Sequence, residues 1–288
     1  MFLREQSGHG SAKGLQHVIA KRGRMLEVYH HGSSVCAAKV RLVLMEKQIE
    51  WTSRYVDLLA GEQFDPEYLK INPRAAVPAI IHDGAVLTES TLICEYLDDA
   101  FPGARLKPAA PLAQARMRLW TKQVDEEIHP ATRPLTYVVT HRHAILARGE
   151  AAVEEHIASD PHPAWRERKR RWIYDGFGAP DVALALGTFV RLLQDMDRAL
   201  EGSEWLVGDS YTLADGALTP YANRLEMLGL SELWRDRPHF ARWFAAVKDR
   251  PSFAPALFDY LPQELRDRML ADGQRALPQV RESLRRIA

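Results

Sequence analysis

The sequence has little cysteine and no excess of charge of either sign. Among its 288 residues, Cys36 and Cys94 are the only cysteines, and two cysteines by themselves build neither a disulfide framework nor a four-ligand zinc site. The 38 basic residues balance the 38 acidic ones, which excludes a global attraction to nucleic acid or to an acidic membrane. No apolar stretch approaches the roughly 18 residues that suggest a membrane span. These absences predict a protein of the reducing cytoplasm that has no nucleic-acid or membrane partner.

The first 24 residues are polar and basic, and they precede the first strand-like pattern directly. They lack the apolar stretch and the small-residue cleavage site of a secretory signal. We therefore interpret residues 1–24 as a flexible leader or as the product of an upstream start codon.

Residues 25–103 alternate strand patterns with helical patterns in the order βαβαββα. The strand patterns cover residues 26–29, residues near 55–57, and a hairpin formed by residues 77–82 and 85–87. Residues 104–111 are rich in proline and alanine, which suits a linker. From residue 112 onward only helical patterns remain, over a main region at 112–260 and a helical tail at 261–288. The sequence thus predicts a small α/β domain followed by a larger all-α domain.

Three segments of the sequence follow one another in this order: INPRAAVPAIIHDG at 71–84, TESTLICEYLDDAFPG at 88–103 and YTLAD at 211–215. Together with the βαβαββα order, they resemble the cytosolic glutathione transferases. Residues 72–120, and further on residues 165–168 and 176–177, look most like the bacterial members of this family that include the lignin β-aryl etherases. The second segment is also similar to omega-class enzymes, and the Ser-x-Cys turn at residues 34–36 is similar to the zeta class.

The resemblance implies a glutathione transferase fold. In this family a thioredoxin-like domain with a mixed four-stranded sheet binds glutathione, and an all-helical domain supplies most of the second-substrate pocket. It further implies a cytoplasmic homodimer of the detoxifying kind, with glutathione as co-substrate and a hydrophobic, aromatic electrophile as partner. The histidines have no metal-ligand spacing, so we expect no metal.

Glutathione reacts as a thiolate, and a free thiol with a pKa near 8.5 is only slightly ionised at neutral pH. The turn before the first helix contains Ser33, Ser34 and Cys36. Matching residues 39–41 to the family's basic–hydrophobic–basic triplet places Ser34 where serine-type classes keep their activating hydroxyl. Ser33 is the second candidate, because the loop length can differ by one residue. Both serines can instead serve only as a helix cap or turn.

Cys36 allows two further interpretations. A thiol in the first turn of a helix can have a depressed pKa and form a mixed disulfide with glutathione. Cys36 also shares a predicted apolar face with Val40, Val43 and Leu44, which favours a buried structural thiol. Cys94 lies inside an apolar helix pattern and is expected in the core.

The resemblance assigns the binding of glutathione to residues of the first domain. Val77 and Pro78 match the family's cis-proline position, where the backbone of the preceding residue pairs with the cysteinyl part of glutathione. Glu89 and Ser90 begin the third helix and match the site for the γ-glutamyl end. Ala76 stands where many relatives have a polar residue. The candidates for the glycyl carboxylate are therefore Gln63, Arg74 and Lys70.

Aromatic residues of the helical domain usually face the second substrate in this family. The candidates are Trp120, Tyr137, His141 and Phe177, although each is more often a core residue. The basic run at residues 166–171 is interpreted as a solvated helix face, with contact to an anionic substrate or to the glycyl carboxylate as the alternative.

The sequence therefore predicts an enzyme that activates the glutathione thiolate for conjugation or for β-aryl ether cleavage. One alternative is a Cys36-dependent glutathione thiol transferase or lyase. The other is a non-catalytic binding protein on the same fold.

Overall fold

A mixed four-stranded sheet opens the part of the chain that this computed structural model describes, residues 26–58, 60–160 and 162–287. The interpretation of the leader concerns residues outside these ranges. The strands are β1 (Leu26–His30), β2 (Thr52–Tyr55), β3 (Ala79–His82) and β4 (Ala85–Thr88), in the spatial order β2-β1-β3-β4. Only β1 and β2 run parallel. The burial of β1 alternates along the strand, because successive side chains point to opposite faces of a sheet.

The second strand lies three residues earlier than the expected position near residues 55–57. It covers Thr52–Tyr55 and pairs with β1 through Val28 and Ser53. All four of its side chains are exposed, since it is an edge strand without a covered face. A strand with no buried face has no alternating apolar pattern, and this explains the error.

Three helices cover the two faces of the sheet. They are α1 (Val35–Glu46), α2 (Pro66–Ile71) and α3 (Ser90–Ala100). Helices α1 and α3 pack against each other, whereas Tyr68 of α2 packs on Tyr29 of β1, with ring centroids 5.9 Å apart. A short 3-10 turn at Glu62–Phe64 precedes α2.

The segment that joins the two domains is bonded to the first of them. Asp98, a buried residue of α3, accepts hydrogen bonds from the backbone N–H groups of Leu106 (2.9 Å) and Lys107 (3.1 Å). Its charge is balanced by the buried Lys47 ammonium at 3.2 Å. This part of the predicted linker is therefore held in place.

One long bent helix begins the second domain. It consists of α4 (Pro111–Gln123), a π-helical turn at Val124–Ile128, α5 (His129–Thr136), a second π-helical turn at Tyr137–His141, and α6 (Arg142–Leu146). Each π turn contains an extra residue relative to an α turn, so the side chains that follow are rotated about the helix axis.

The remaining helices are connected by short turns. They are α7 (Glu150–Ala158), α8 (Pro163–Tyr174), α9 (Pro180–Ala199), α10 (Leu213–Met227), α11 (Pro238–Lys248), α12 (Phe253–Leu257) and α13 (Gln263–Ile287), with 3-10 turns at Gly176–Gly178 and Ser231–Trp234. No helix among the described residues combines the length and apolar character that crossing a bilayer requires.

The hydrophobic core is continuous between the two domains. One cluster of buried side chains contains Val28 and Val40 of the first domain together with Phe189 and Trp243 of the second. Cys94 is buried in the same cluster, as expected. Helix α10 packs directly on α1, so residues of both domains meet around the start of α1.

A capping box formed by Thr212 and Asp215 begins α10. The Thr212 hydroxyl accepts a hydrogen bond from Ala214 N, and Asp215 Oδ2 accepts one from Thr212 N at 2.9 Å. Tyr211, for which the sequence offers no hydrophobic staple partner, packs against Trp205 and lies under the guanidinium of Arg250.

Candidate active site

Both domains hold the turn between β1 and α1. Arg41 Nη2 donates to the carbonyl oxygen of Gly32 at 3.3 Å, and Arg224 Nη2, from α10, donates to that of Ser33 at 2.6 Å. A Cβ atom on Gly32 would lie 1.8 Å from the carbonyl oxygen of Tyr260. Glycine is therefore the residue that this close approach permits.

The two arginines bring positive charge to the back of this turn. Burial lowers the pKa of Arg41 to about 10 and that of Arg224 to about 10, and neither guanidinium contacts a carboxylate in the described part of the chain. Arg224 Nε is moreover buried without a partner among those residues. Positive groups without counter-ions favour an anion bound nearby, such as a thiolate.

His30 lies beneath the turn in an aromatic enclosure. Its ring centroid is 4.7 Å from that of Tyr260, and its Nε2 lies 2.7 Å from Ser53 Oγ. Burial, then the charges of Arg41 and His31, lower the pKa of His30 to about 3.

We expect His30 to make the fold acid-sensitive. In the unfolded chain its pKa is near 6.5, so below that value the unfolded state binds a proton that the folded state excludes until the pH approaches 3. The free energy of unfolding should therefore fall by about 2 kcal/mol between pH 7 and pH 5 on account of this residue. In His30→Gln, the free energy of unfolding should fall less steeply with decreasing pH, by the slope that corresponds to about one bound proton. Denaturant unfolding across this pH range measures the slope. Equal slopes in the variant and the unmodified protein would contradict the assignment.

Ser34 is the N-cap of α1, and its Oγ accepts a hydrogen bond from Ala37 N at 3.1 Å. This bond uses a lone pair and leaves the hydroxyl hydrogen available to donate. Ser33 differs, because its backbone N–H donates to His31 Nδ1 at 3.2 Å and its Oγ lies 2.9 Å from the same nitrogen. Since Nδ1 accepts from the N–H group, the Ser33 hydroxyl must donate to it as well. The geometry therefore favours Ser34 over Ser33 as the free donor.

Cys36 directs its sulfur toward polar groups. Its Sγ lies 3.4 Å from His129 Nδ1 and 3.8 Å from Tyr221 Oη, and these two partners are 3.3 Å from each other. Burial raises the pKa of the Cys36 thiol, but the hydrogen bond with His129, the charges of Lys39 and His129 and a hydrogen bond with Ser90 outweigh burial and lower it to about 7. Val40, Val43 and Leu44 are buried in the core, whereas Cys36 lies half-buried at its edge.

Sequence reasoning missed His129 and the role of Tyr221. His129 is the first residue of α5, directly after a π turn, so the periodicity of α4 does not predict the direction of its side chain. Tyr221 fits the apolar pattern of α10, and nothing in that pattern indicates that its hydroxyl reaches the first domain.

Lys39 joins three elements beside this site. Its ammonium is almost completely buried and donates to Thr91 Oγ1 and to Asp125 Oδ1, each at 3.1 Å. It thereby links α1 to α3 and to the first π turn of the helical domain.

The peptide bond between Val77 and Pro78 is cis. Neither the N–H nor the carbonyl group of Val77 has a hydrogen-bond partner within residues 26–58, 60–160 and 162–287. The preceding carbonyl, that of Ala76, accepts from Tyr68 Oη at 2.6 Å and from Asn72 Nδ2 at 2.7 Å, which fixes this loop. An unpaired extended segment of this kind can pair with a bound peptide such as glutathione.

Glu89 precedes α3 with a φ of +70°, in the left-handed region that side chains rarely adopt. It makes no side-chain capping bond, so the first N–H groups of α3 are free for an anionic ligand. Ser90 is buried at the same helix end. Glu89 Oε1 accepts a hydrogen bond from Arg74 Nη1 at 2.6 Å, so this carboxylate already has an exposed partner.

The candidates for the glycyl carboxylate differ in their surroundings. Arg74 is paired with Glu89, and Lys70 is paired with Glu67 at 2.5 Å. The side-chain oxygen of Gln63 is buried and has no partner among the described residues.

The aromatic candidates do not share one pocket. Trp120 packs at the edge of the main core, and Tyr137 is buried in a smaller cluster, where its hydroxyl is 2.6 Å from His156 Nε2. Phe177 packs against both clusters. His141 lines a cavity of about 220 Å³, and burial and neighbouring arginines lower its pKa to about 4. In the described part of the chain, no group of three His, Cys, Asp or Glu side chains is placed to hold a metal ion.

A sheet domain with an unpaired strand-like segment and a free helix start, followed by a helical domain, is the architecture of glutathione transferases. Family models bear this out: the glutathione S-transferase N-terminal domain matches residues 33–100, and the C-terminal domain matches residues 166–251. The chain belongs to the glutathione transferase family. It is an enzyme of that family, with glutathione as co-substrate.

Three relatives within the family are similar to this chain over most of its length. Protein LigF of Sphingobium sp. (strain NBRC 103272 / SYK-6) is 35% identical over 239 residues, 79% of this chain and 91% of that one. The crystal structure of β-etherase LigF from strain SYK-6 covers 82% of this chain and 99% of its own, with a TM-score of 0.72 and 31% identity. A tetrachloro-p-hydroquinone reductive dehalogenase of Sphingobium chlorophenolicum is 25% identical over 80% of this chain and 95% of its own. The glutathione S-transferase TCHQD of Arabidopsis thaliana is 29% identical over 82% of this chain and 90% of its own.

Proposed function

We propose that this enzyme transfers glutathione to a carbon that carries an aryl ether oxygen, and so releases a phenol. The observation that carries the proposal is the Ser34 hydroxyl at the N-terminus of α1, which accepts from Ala37 N and donates to no described residue, in a chain 35% identical to LigF. A donor at a helix N-terminus can stabilise the thiolate of glutathione. Lowering a thiol pKa by two units requires about 2.7 kcal/mol, within reach of one charge-assisted hydrogen bond and a helix end.

The first domain supplies the groups that would bind glutathione. The free backbone of Val77 would pair with its cysteinyl part, and the N-terminus of α3 with Ser90 would bind the γ-glutamyl carboxylate. When glutathione binds, the Glu89 carboxylate would leave Arg74 and pair with the ammonium group of the ligand. The Nε2 amide group of Gln63 would donate a hydrogen bond to the glycyl carboxylate.

The reaction is a displacement at carbon. The thiolate forms a carbon–sulfur bond while the carbon–oxygen bond to the aryl group breaks. The electron pair leaves with the phenolate, which then takes a proton from water. Other aromatic electrophiles with a good leaving group can follow the same course.

We also propose a cytoplasmic homodimer that serves detoxification, as the family resemblance implies. Apolar side chains on adjacent helices support the dimer. Leu92 on α3 is 58% exposed, and Leu112 and Leu119 on α4 are 65% and 67% exposed. An ion pair between Glu95 and Arg118 joins the two helices beside these leucines. Exposed apolar surface of this kind marks protein–protein interfaces.

The test is product analysis with an α-aryloxyacetophenone and glutathione. We expect equimolar phenol and glutathionyl ketone by liquid chromatography and mass spectrometry, with no phenol when glutathione is omitted. Ser90→Ala should raise the KM for glutathione about tenfold, because one charged end of the peptide loses a partner.

A negative result has a defined alternative. If glutathione raises the melting temperature but the aryl ether does not react, the glutathione site is supported and the aryl ether is not the substrate. Product formation that does not depend on glutathione would overturn the proposal.

A second candidate function is thiol transfer through Cys36. The observation that favours it is the 3.4 Å contact between Cys36 Sγ and His129 Nδ1, with a pKa of about 7 for that thiol. The Cys36 thiolate would attack the glutathionyl sulfur of a mixed disulfide and release the substrate thiolate, which takes a proton. A second glutathione thiolate would then attack the disulfide at Cys36, forming oxidised glutathione and restoring the thiol.

A further inference from the structure

Two arginines from different helices share one tryptophan ring near Cys36. The guanidinium carbon of Arg133 lies 4.3 Å from the centroid of Trp165, and that of Arg168 lies 5.1 Å from it. Arg133 belongs to α5 and follows His129 by four residues, which is about one helical turn. Residues four apart share a helix face, so Arg133 lies on the face that contacts Cys36 through His129.

Neither guanidinium has a carboxylate partner among the described residues. Asp160, whose charge acts on Arg133, is paired with Lys169 at 2.7 Å. Two further acidic groups, on α7 and α8, are paired elsewhere: Glu154 with Arg170 and Glu167 with Arg171. Burial lowers the pKa of Arg133, the charges of Asp160 and Cys36 raise it, and the charge of Arg168 lowers it. Two like charges are therefore held at one ring, and no described carboxylate contacts either of them directly.

Further aromatic packing holds the shared ring in place. Trp165 lies 6.0 Å from Trp172, and Trp172 lies 5.4 Å from Tyr137, between ring centroids. Trp172 is buried, and its Nε1 donates to Asp181 at 3.1 Å. These aromatic contacts thus hold the Trp165 ring in place, and both guanidiniums lie against it.

We propose that Arg133, Arg168 and Trp165 form a subsite for the carboxylate of an anionic aromatic electrophile. This rests on the proposed transfer of glutathione to an aromatic substrate, and it names a class of that substrate. The carboxylate would lie between the two guanidiniums and relieve their repulsion, and arginine suits this role because its fork of N–H donors matches a carboxylate. The aromatic ring of the substrate would extend toward the turn that contains Cys36 and Ser34.

The test compares two electrophiles that differ by one charge. With glutathione, 1-chloro-2,4-dinitrobenzene and 4-chloro-3,5-dinitrobenzoate both lose chloride and gain a thioether, but only the second carries a carboxylate. Arg133→Gln should lower the ratio of kcat/KM for the benzoate to that for the neutral compound by about 10- to 100-fold. Arg133→Lys should retain part of the preference. The matched control is Arg170→Gln, an exposed position on the same helix as Arg168, and it should leave the ratio unchanged.

A binding measurement separates this proposal from the proposed function. Calorimetric titration with unreactive 3,5-dinitrobenzoate should show a Kd about tenfold higher in Arg133→Gln and in Arg168→Gln, whether or not the enzyme turns over an aryl ether. The stabilisation of both variants by glutathione should equal that of the unmodified protein. An unchanged ratio and an unchanged Kd would overturn the proposal. So would a higher KM for glutathione in these variants, because the subsite would then bind the glycyl carboxylate.

Discussion

Ser34→Ala is expected to lower the rate of glutathione conjugation at neutral pH by about 10- to 1000-fold, the usual scale for losing one preorganised donor. The Ser34 hydroxyl donates to no group within the described ranges, and without it the thiolate of bound glutathione loses a direct partner. The pH midpoint of thiolate absorbance in the glutathione complex should rise accordingly. Stopped-flow conjugation of 1-chloro-2,4-dinitrobenzene and ultraviolet titration of the complex measure the two effects.

Two neighbouring variants complete this experiment. Ser33→Ala should have little effect, because His31 already engages the Ser33 hydroxyl. Cys36→Ala should lower the rate of conjugation only slightly, as a small change in packing would. If the enzyme instead works through a mixed disulfide, Cys36→Ala abolishes thiol transfer, Ser34→Ala is tolerated, and mass spectrometry detects glutathione on Cys36. Normal activity of both Ser34→Ala and Cys36→Ala would reject both assignments and direct attention to Ser33 or to the backbone at the helix end.

Asp215→Ala is expected to lower the free energy of unfolding by about 3 to 5 kcal/mol, because several buried donors would lose their acceptor. Asp215 is fully buried. Its Oδ1 accepts from Leu206 N at 3.0 Å and from Trp243 Nε1 at 2.9 Å, and its Oδ2 accepts from both the N–H and the hydroxyl of Thr212. The melting temperature should fall by about 10 °C, measured by scanning calorimetry.

Two further variants keep this prediction testable even if Asp215→Ala does not fold. Thr212→Val removes the cap but leaves the carboxylate, and it should cost about 1 to 2 kcal/mol. Asp209→Ala, at an exposed position in the same loop, should change the melting temperature by less than about 2 °C. A melting temperature of Asp215→Ala equal to that of Asp209→Ala would show that the network is not structural. The folded fraction of the Thr212 variant should keep normal kcat, since we assign no catalytic role to this box.

The order of elements in the first domain could be predicted because its signals are local. The hairpin at β3 and β4 has Asp83-Gly84 at its turn, and Asn72-Pro73 follows the end of α2, so adjacent residues determine these boundaries. The exposed strand β2 could not be placed, since its side chains have no buried face to set a period. The capping box of α10 was predictable for the same reason as the hairpin, because both of its partners lie within three residues.

Only some residues of the candidate site are close together in the sequence. Ser33, Ser34 and Cys36 stand in one turn of the sequence, so their proximity follows from the chain itself. The sequence cannot show which serine keeps a free proton, because that depends on the ring orientation of His31. The two arginines behind the turn differ in this respect: Arg41 lies within α1, nine residues after Gly32, whereas Arg224 is about 190 positions later in the chain.

The sequence by itself determined the family, the two-domain order and the turn that contains the candidate catalytic residues, because these depend on short motifs and on helical or strand period. Only the tertiary structure brought His129 and Tyr221 to Cys36, and Arg133 and Arg168 to one ring. The physical reason lies in the long bent helix. Its π turns rotate the following side chains relative to the α-helical period, and the packing of α10 on α1 then decides which of them reach the first domain.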